Sequence, residues 1–231
     1  MEKIIENDKY EVYKLNISFK DSGHCTNTYV LKDKVTNYTC IIDPAYNGRY
    51  IMDCLEKIKG ELKVIYLTHC HGDHTAALEE IYTSSLKENV KIYIHENDKS
   101  GIFDDDKNCR YILTEPNFTS LKHPDISAVK DGELLSIGDS ILEVIHTPGH
   151  TNGCSVLYEK EYGILFTGDT IFSDCYGRTD LKSGSIVDMK ESISKIFNRF
   201  SNDTMICPGH GNIVKLKDAK RNISLMLAFD L

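Results

Sequence analysis

The segment Leu67–Leu78, LTHCHGDHTAAL, places three histidines and an aspartate within six residues. Imidazole and carboxylate groups at this density are ligands for zinc, iron or manganese. In an extended chain, side chains two apart project to the same side. His69 and His71 can therefore face one ion together, while Cys70 points the other way and packs beneath them. Gly72 lets the chain turn sharply, so Asp73 and His74 can reach the same region from the start of a helix. Three later fragments set the same residue types beside glycine: HTPGHT with His146 and His150, FTGDT with Asp169, and CPGHG with His210.

These fragments must be positioned by strands and helices. EVYKLNISF, TNTYVLKD and NYTCIIDP alternate β-branched or aromatic residues with polar ones, and are expected to be short strands. LKVIYLTH is a largely apolar run, the pattern of a strand buried on both faces. The dense motif therefore sits at a strand-to-helix turn, with a helix expected over DHTAALEEIY. VKIYIH, ILEVIHTPGH, CSVLYEK, GILFTGDT and TMICPGHG supply further strands. Helices are expected at 49–59, at 186–200 with Ser185 and Asp188 as a capping pair, and at 218–228. Residues 97–132 are polar and are expected to be irregular, an insertion beside the site. Strands and helices are mixed rather than strictly alternating, which favours an α+β or layered arrangement over a Rossmann sheet.

Composition narrows the function classes. A chain of 231 residues with 41% hydrophobic and 27% charged content suits one compact domain, taken here as 1–231. Its net charge of −8, with no Lys/Arg run, argues against nucleic acid, whose binding rests on phosphate neutralisation. No stretch of about 18 apolar residues could span a bilayer, and the first residues carry no secretory pattern. Eight scattered cysteines without a C-x-x-C pair suit a reducing, cytoplasmic setting. The expected partner is a small-molecule substrate.

Taken in order, T-H-x-H-x-D-H, His150, G-D-T and P-G-H-G resemble the pattern of the metallo-β-lactamase superfamily over nearly the whole chain. The resemblance implies a four-layer αββα sandwich with metals at one sheet edge. It implies that His69, His71 and His150 hold a first divalent ion, that Asp73, His74 and His210 hold a second, and that Asp169 bridges. Zinc is the first expectation, with iron and manganese as alternatives. His146 matches no ligand position and is expected to pack around the ligands or in the core.

The loop GDTIFSDCYGRTDL is similar to that of glyoxalase II-type hydrolases and of the related persulfide dioxygenases. The resemblance thus implies hydrolysis of a thioester or small ester by hydroxide generated between two metals, with Asp73 orienting or deprotonating the nucleophile. Arg178 falls where glyoxalase II has a lysine on the glutathione carboxylate, which makes it a candidate substrate contact; a tie to Asp180 is the competing role. Two departures concern glutathione: Asp180 stands in place of a substrate-contacting tyrosine, and only 21 residues follow His210, where glyoxalase II carries a helical substrate domain. Other readings are a mononuclear iron persulfide dioxygenase built on His69, His150 and Asp169, a lactonase or phosphodiesterase, and a metal-binding protein without turnover.

Overall fold

The computed structural model describes residues 1–19, 25–85, 89–109 and 125–229. Two mixed sheets face each other. The first runs β1 (Glu2–Glu6), β2 (Tyr10–Ser18), β3 (Cys25–Asp33), β4 (Tyr38–Ile42), β5 (Glu61–Leu67), β6 (Lys91–His95) and β7 (Ile126–Val129), each hydrogen-bonded to the next. β1 to β4 are antiparallel, and β4 to β7 are parallel. The second sheet has the order β13 (Val214–Lys215), β12 (Met205–Pro208), β11 (Ile164–Gly168), β10 (Ser155–Glu159), β9 (Ser140–His146) and β8 (Leu134–Ile137).

Strand alternation divides the apolar residues into three layers. Val12, Leu31, Ile42 and Tyr66 from the first sheet meet Leu142, Val144, Leu157 and Phe166 from the second in the central layer. On the first sheet's outer face, Val30, Ile41, Ile65 and Ile94 pack against helices α1 (Gly48–Ile58) and α3 (Leu78–Ser84) through Ile51, Leu55, Leu78 and Ile81, and the short helix α2 (Gly72–Thr75) precedes α3. Beyond the second sheet, Ile145, Val156 and Leu165 meet Met189, Ile193 and Ile196 of α5 (Ile186–Arg199) and Ile223 of α6 (Leu216–Phe229). The result is the expected α+β sandwich of four layers, αββα. No described helix is long and apolar enough to cross a membrane.

The local differences from expectation have physical causes. The helix expected over 73–82 is two helices, because the Ala77 N–H is taken by the Ala45 carbonyl at 2.8 Å and the chain steps sideways between α2 and α3. Residues 97–132 are not irregular throughout. A short helix α4 (Glu96–Lys99) and a 3-10 turn (Ser100–Phe103) follow β6, and β7 extends the parallel edge; 110–124 lie outside the described residues. Ser185 caps α5 as expected, accepting from the Asp188 N–H at 3.2 Å.

The two sheets are stitched together at one end. Asn27 of β3 donates through its backbone to Gly209 and through its side chain to Pro208 and Gly211, and the Tyr29 hydroxyl donates to Pro208. The Ser155 N–H donates to the Thr68 carbonyl, and the Tyr66 and Ser155 hydroxyls lie 2.6 Å apart. At this end the carboxyl termini of β5, β9, β11 and β12 open together.

Candidate metal centre

Each residue singled out for its chemistry leaves the end of a strand. His69 and His71 follow β5, Asp73 and His74 lie in α2, His150 follows β9, Asp169 follows β11 and His210 follows β12. The fold brings all seven together. His69, His71 and His150 form one group whose ligand atoms lie within 4.8 Å of one another, and Asp73, His74 and His210 form another. Asp169 sits between them, with one oxygen 3.3 Å from His74 Nε2 and the other 3.4 Å from His150 Nε2 and 3.5 Å from His210 Nε2.

Glycine permits this density. A Cβ on Gly209 would collide with Asp169 Oδ1 and approach His74 Cε1 to 2.6 Å. Gly149, at φ 143°, packs on the α5 backbone at Met189, where a Cβ would approach Cα to 2.5 Å.

Hydrogen bonds fix the imidazole tautomers. His150 Nδ1 is 2.7 Å from the Arg178 carbonyl and His210 Nδ1 is 2.7 Å from the Cys25 carbonyl. A carbonyl only accepts, so both Nδ1 atoms carry a proton and Nε2 is the nitrogen left to face the centre. His74 Nδ1 donates to Asp43 Oδ2 at 2.8 Å, with the same consequence. The Thr68 hydroxyl donates to Asp43 at 2.7 Å, which leaves its oxygen to accept from His69 Nδ1 at 3.0 Å. Asp43 therefore sets two histidines at once, one directly and one through Thr68, the arrangement that orients metal-bound imidazoles.

Four Nε2 atoms thus converge with the Asp169 carboxylate. His71 Nδ1 approaches His150 Nε2 to 2.8 Å, and His69 Nε2, His71 Nε2 and Asp169 Oδ1 are buried without a hydrogen-bond partner. Buried polar atoms are seldom left unpaired. A cation fits this donor set.

The charges agree. Burial, then the neighbouring His74 and His71 rings, hold His69 well below the usual imidazole range, and burial with His150 beside it brings His71 down to about 3. Burial works the same way on His74 and His210, but the carboxylates win. Asp169, Asp73 and Asp43 hold His74 well above its ordinary value, and Asp169 with Asp73 pushes His210 up to about 10. Asp73 is brought down to about 2, as His74 and His210 outweigh the opposing effect of burial. The carboxylates demand positive charge, and protons meet that demand where a divalent ion otherwise would.

Other expectations fare differently. Cys70 is buried and turned away, its thiol 3.8 Å from the Lys107 carbonyl and its backbone N–H on Asp98. His146 touches none of the clustered side chains. Its ring stacks on His95 at 3.9 Å and its Nε2 meets the Asn152 carbonyl, because it lies at the end of β9, before the chain turns toward the site. The Arg178 guanidinium forms two 2.7 Å bonds to Asp180, while its carbonyl orients His150. Sequence reasoning missed Asp43, Thr68, Asp98 and Asn108. Asp98 accepts from Cys70 N–H, Thr151 Oγ1 and Gly153 N–H, and so ties the His69–His74 segment to the His150 loop. The Asn108 carbonyl accepts from the Gly72 N–H at 2.7 Å. The one signal for Asp43 was its place after a buried strand, immediately before Pro44.

Comparison with known proteins decides the family. The model of the metallo-beta-lactamase superfamily matches residues 24–210. The chain belongs to the metallo-beta-lactamase superfamily. It is 33% identical over 207 residues to a probable metallo-hydrolase of Methanocaldococcus jannaschii, covering 83% of this chain and 90% of that protein. It is 31% identical over 184 residues to the hydroxyacylglutathione hydrolase GloC of Haemophilus influenzae, covering 79% and 84%. Among solved structures, the B3 metallo-beta-lactamase BLEG-1 superposes with a TM-score of 0.82 at 26% identity, covering 93% of this chain and 99% of that one. In superfamily terms, the strand ends that carry this chain's seven clustered residues fall inside the matched span.

Proposed function

We propose that this protein is a metal-dependent hydrolase of thioesters or small esters, acting through a centre that holds two divalent ions. The observation that carries the reading is the pair of donor groups, His69, His71 and His150 beside Asp73, His74 and His210, with Asp169 within 3.5 Å of histidines from both. His69, His71 and His150 would hold one ion, Asp73, His74 and His210 the other, and Asp169 both. The similarity to a hydroxyacylglutathione hydrolase supports the thioester class. Divalent ions held there supply Lewis acidity and bring a water's pKa toward neutrality.

The protein's own groups do the rest. Asp43 and the two backbone carbonyls keep four histidines in the tautomer that presents Nε2, so no rearrangement is needed when substrate arrives. Asp73 is partly exposed, with Oδ2 3.3 Å from His210 Nε2, and stands at the open side where it can orient a nucleophilic water and take its proton. His69 and His71 are buried, which excludes bulk water from the inner side of the centre. Arg178 and Asp180 lie on the loop that carries the His150 carbonyl partner, where the guanidinium can meet the acid end of a substrate.

The test is metal analysis of the purified protein together with hydrolysis of S-D-lactoylglutathione and simple acyl thioesters. Two metals per chain, with activity lost to a chelator and restored by zinc, iron or manganese, is the expected result. A fully loaded protein inert toward thioesters and esters alike overturns the proposal. One iron per chain with oxygen uptake on a persulfide favours dioxygenase chemistry instead.

A further inference from the structure

A cavity of about 620 Å³ lies beside His210, lined by Met1, Glu2, Lys14, Asn16, Cys25, Gly211 and Asn212. It adjoins the centre through two residues. The Cys25 carbonyl accepts the His210 proton, and Gly211 follows His210 in the chain. The strand register explains what faces it. Tyr10 and Val12 of β2 enter the layer between the sheets, and two residues on, Lys14 and Asn16 emerge from the same face past the short edge strand β13.

Lys14 is held rather than loose. Its ammonium donates to the Gly211 carbonyl at 2.8 Å, an oxygen that the Asn27 amide also contacts at 3.0 Å. One N–H is thereby used, and an ammonium has three. Among the described residues no carboxylate lies within ion-pair distance of Lys14, although acids outnumber bases in this chain by 35 to 27. Lys3, Lys9, Lys34, Lys182, Lys195 and Lys215 all have acidic partners. Partial burial also draws the Lys14 ammonium below the usual lysine range. Glu2 lies directly across from Lys14 in the β1–β2 pair but does not reach it. A half-buried cation with spare donors, in a cavity bearing amide side chains, is the chemistry of an anion subsite.

We propose that this cavity receives an anionic group of the substrate, a carboxylate or phosphate on the part remote from the bond to be cleaved, with Lys14 as its positioning residue. The proposal rests on the hydrolase reading and extends it to substrate class. Lys14 lies one residue's reach from His210 through Gly211, so an anion bound there fixes the substrate beside the centre without joining the chemistry. Binding energy from this non-reacting part of the substrate is realised equally in ground and transition states, which lowers KM and leaves kcat unchanged. Glu2 opposes the anion and limits its affinity.

The test uses metal-loaded full-length protein and acetyl thioesters of three thiols: 3-mercaptopropionate, its methyl ester, and 2-mercaptoethyl phosphate. One charge-assisted contact at a partly exposed site should change KM about 10-fold. Lys14→Gln is expected to raise KM for an anionic thioester by that factor, leaving kcat and the methyl ester's KM unchanged. Lys14→Arg should retain the preference, and Glu2→Gln should lower the anionic KM. Whichever of the carboxylate and phosphate substrates responds more strongly identifies the anion. Equal KM for acid and methyl ester in the parent protein overturns the subsite, as does a Lys14→Gln effect on both alike. If no thioester is cleaved, the hydrolase reading falls, and binding of the uncleavable S-butyl thioethers of the same thiols decides the subsite. Acid and ester binding equally, or a Lys14→Gln protein binding the acid as the parent does, rejects it.

Discussion

The two halves of the centre solve one problem in opposite ways. His69, His71 and His150 are buried at the base, and their own group contains no carboxylate; burial makes His69 and His71 reluctant to take protons. Asp73, His74 and His210 form the more open half, where carboxylates hold the imidazoles above their ordinary range. The base offers neutral lone pairs, whereas the open half offers negative charge. The difference teaches that Asp169 is more than one donor among seven. It is the carboxylate that lies within 3.5 Å of histidines from both halves.

The largest effect should therefore come from Asp169. Asp169→Ala removes charge from both halves and is expected to lower kcat/KM by about 10³-fold or more. Metal analysis should show the base half losing more affinity than the open half, which keeps Asp73. Equal metal content in parent and variant would break the comparison.

Asp43 comes next, because it sets one histidine in each half, His69 through Thr68 and His74 directly. Asp43→Asn keeps the shape but disturbs both orientations, and should weaken metal affinity about 10–100-fold. Both metals should be affected, as competition with a chromophoric chelator would reveal. An effect confined to one metal would mean that one of the two contacts is idle.

Asp43 also marks what the sequence could not disclose. The seven clustered residues were legible because histidine and aspartate beside glycine at strand ends are uncommon for any purpose except chemistry. Asp43 and Asp98 are lone aspartates after strands, a position where turn formation is the ordinary explanation. Their roles depend on partners 25 to 55 residues away. The fold was legible in its long apolar strands and amphipathic helices. EKIIE and ISAV were missed as β1 and β7, since four or five residues with half their side chains exposed carry little pattern. The break between α2 and α3 was invisible because its cause, the Ala45 carbonyl, lies in another loop.

The halves should also respond oppositely to pH once metal is stripped. His71, at about 3 in the folded protein, remains neutral where the unfolded chain takes a proton, so stability falls as pH drops from about 6.5 toward 3. His210 has the reverse sign. Raised to about 10, its stabilising contribution is complete below about 6.5 and is lost as pH climbs toward 10. The melting temperature of chelator-treated protein should thus peak near neutrality and decline on both sides. His71→Ala should reduce the acid limb, to which His69 also contributes, and His210→Ala the alkaline one, to which His74 also contributes. Loss of both limbs in a single variant would show that the halves do not titrate separately.

The smallest effect belongs to Arg178, and it bears on the loop that holds His150. Its side chain is paired with Asp180, and both are well exposed, so the ion pair adds little to stability. What matters for the centre is the Arg178 carbonyl on His150 Nδ1, which substitution of the side chain leaves in place. Arg178→Ala should keep the parent's melting temperature and metal content. A substrate contact then shows as KM rising about 3-fold at constant kcat, the signature of binding lost equally from ground and transition states. Asp180→Ala removes this ion pair and should move KM for an anionic substrate in the opposite direction. If both variants behave as the parent does, the side chain only ties its own loop, and recognition of the substrate's charge falls to other residues of the rim.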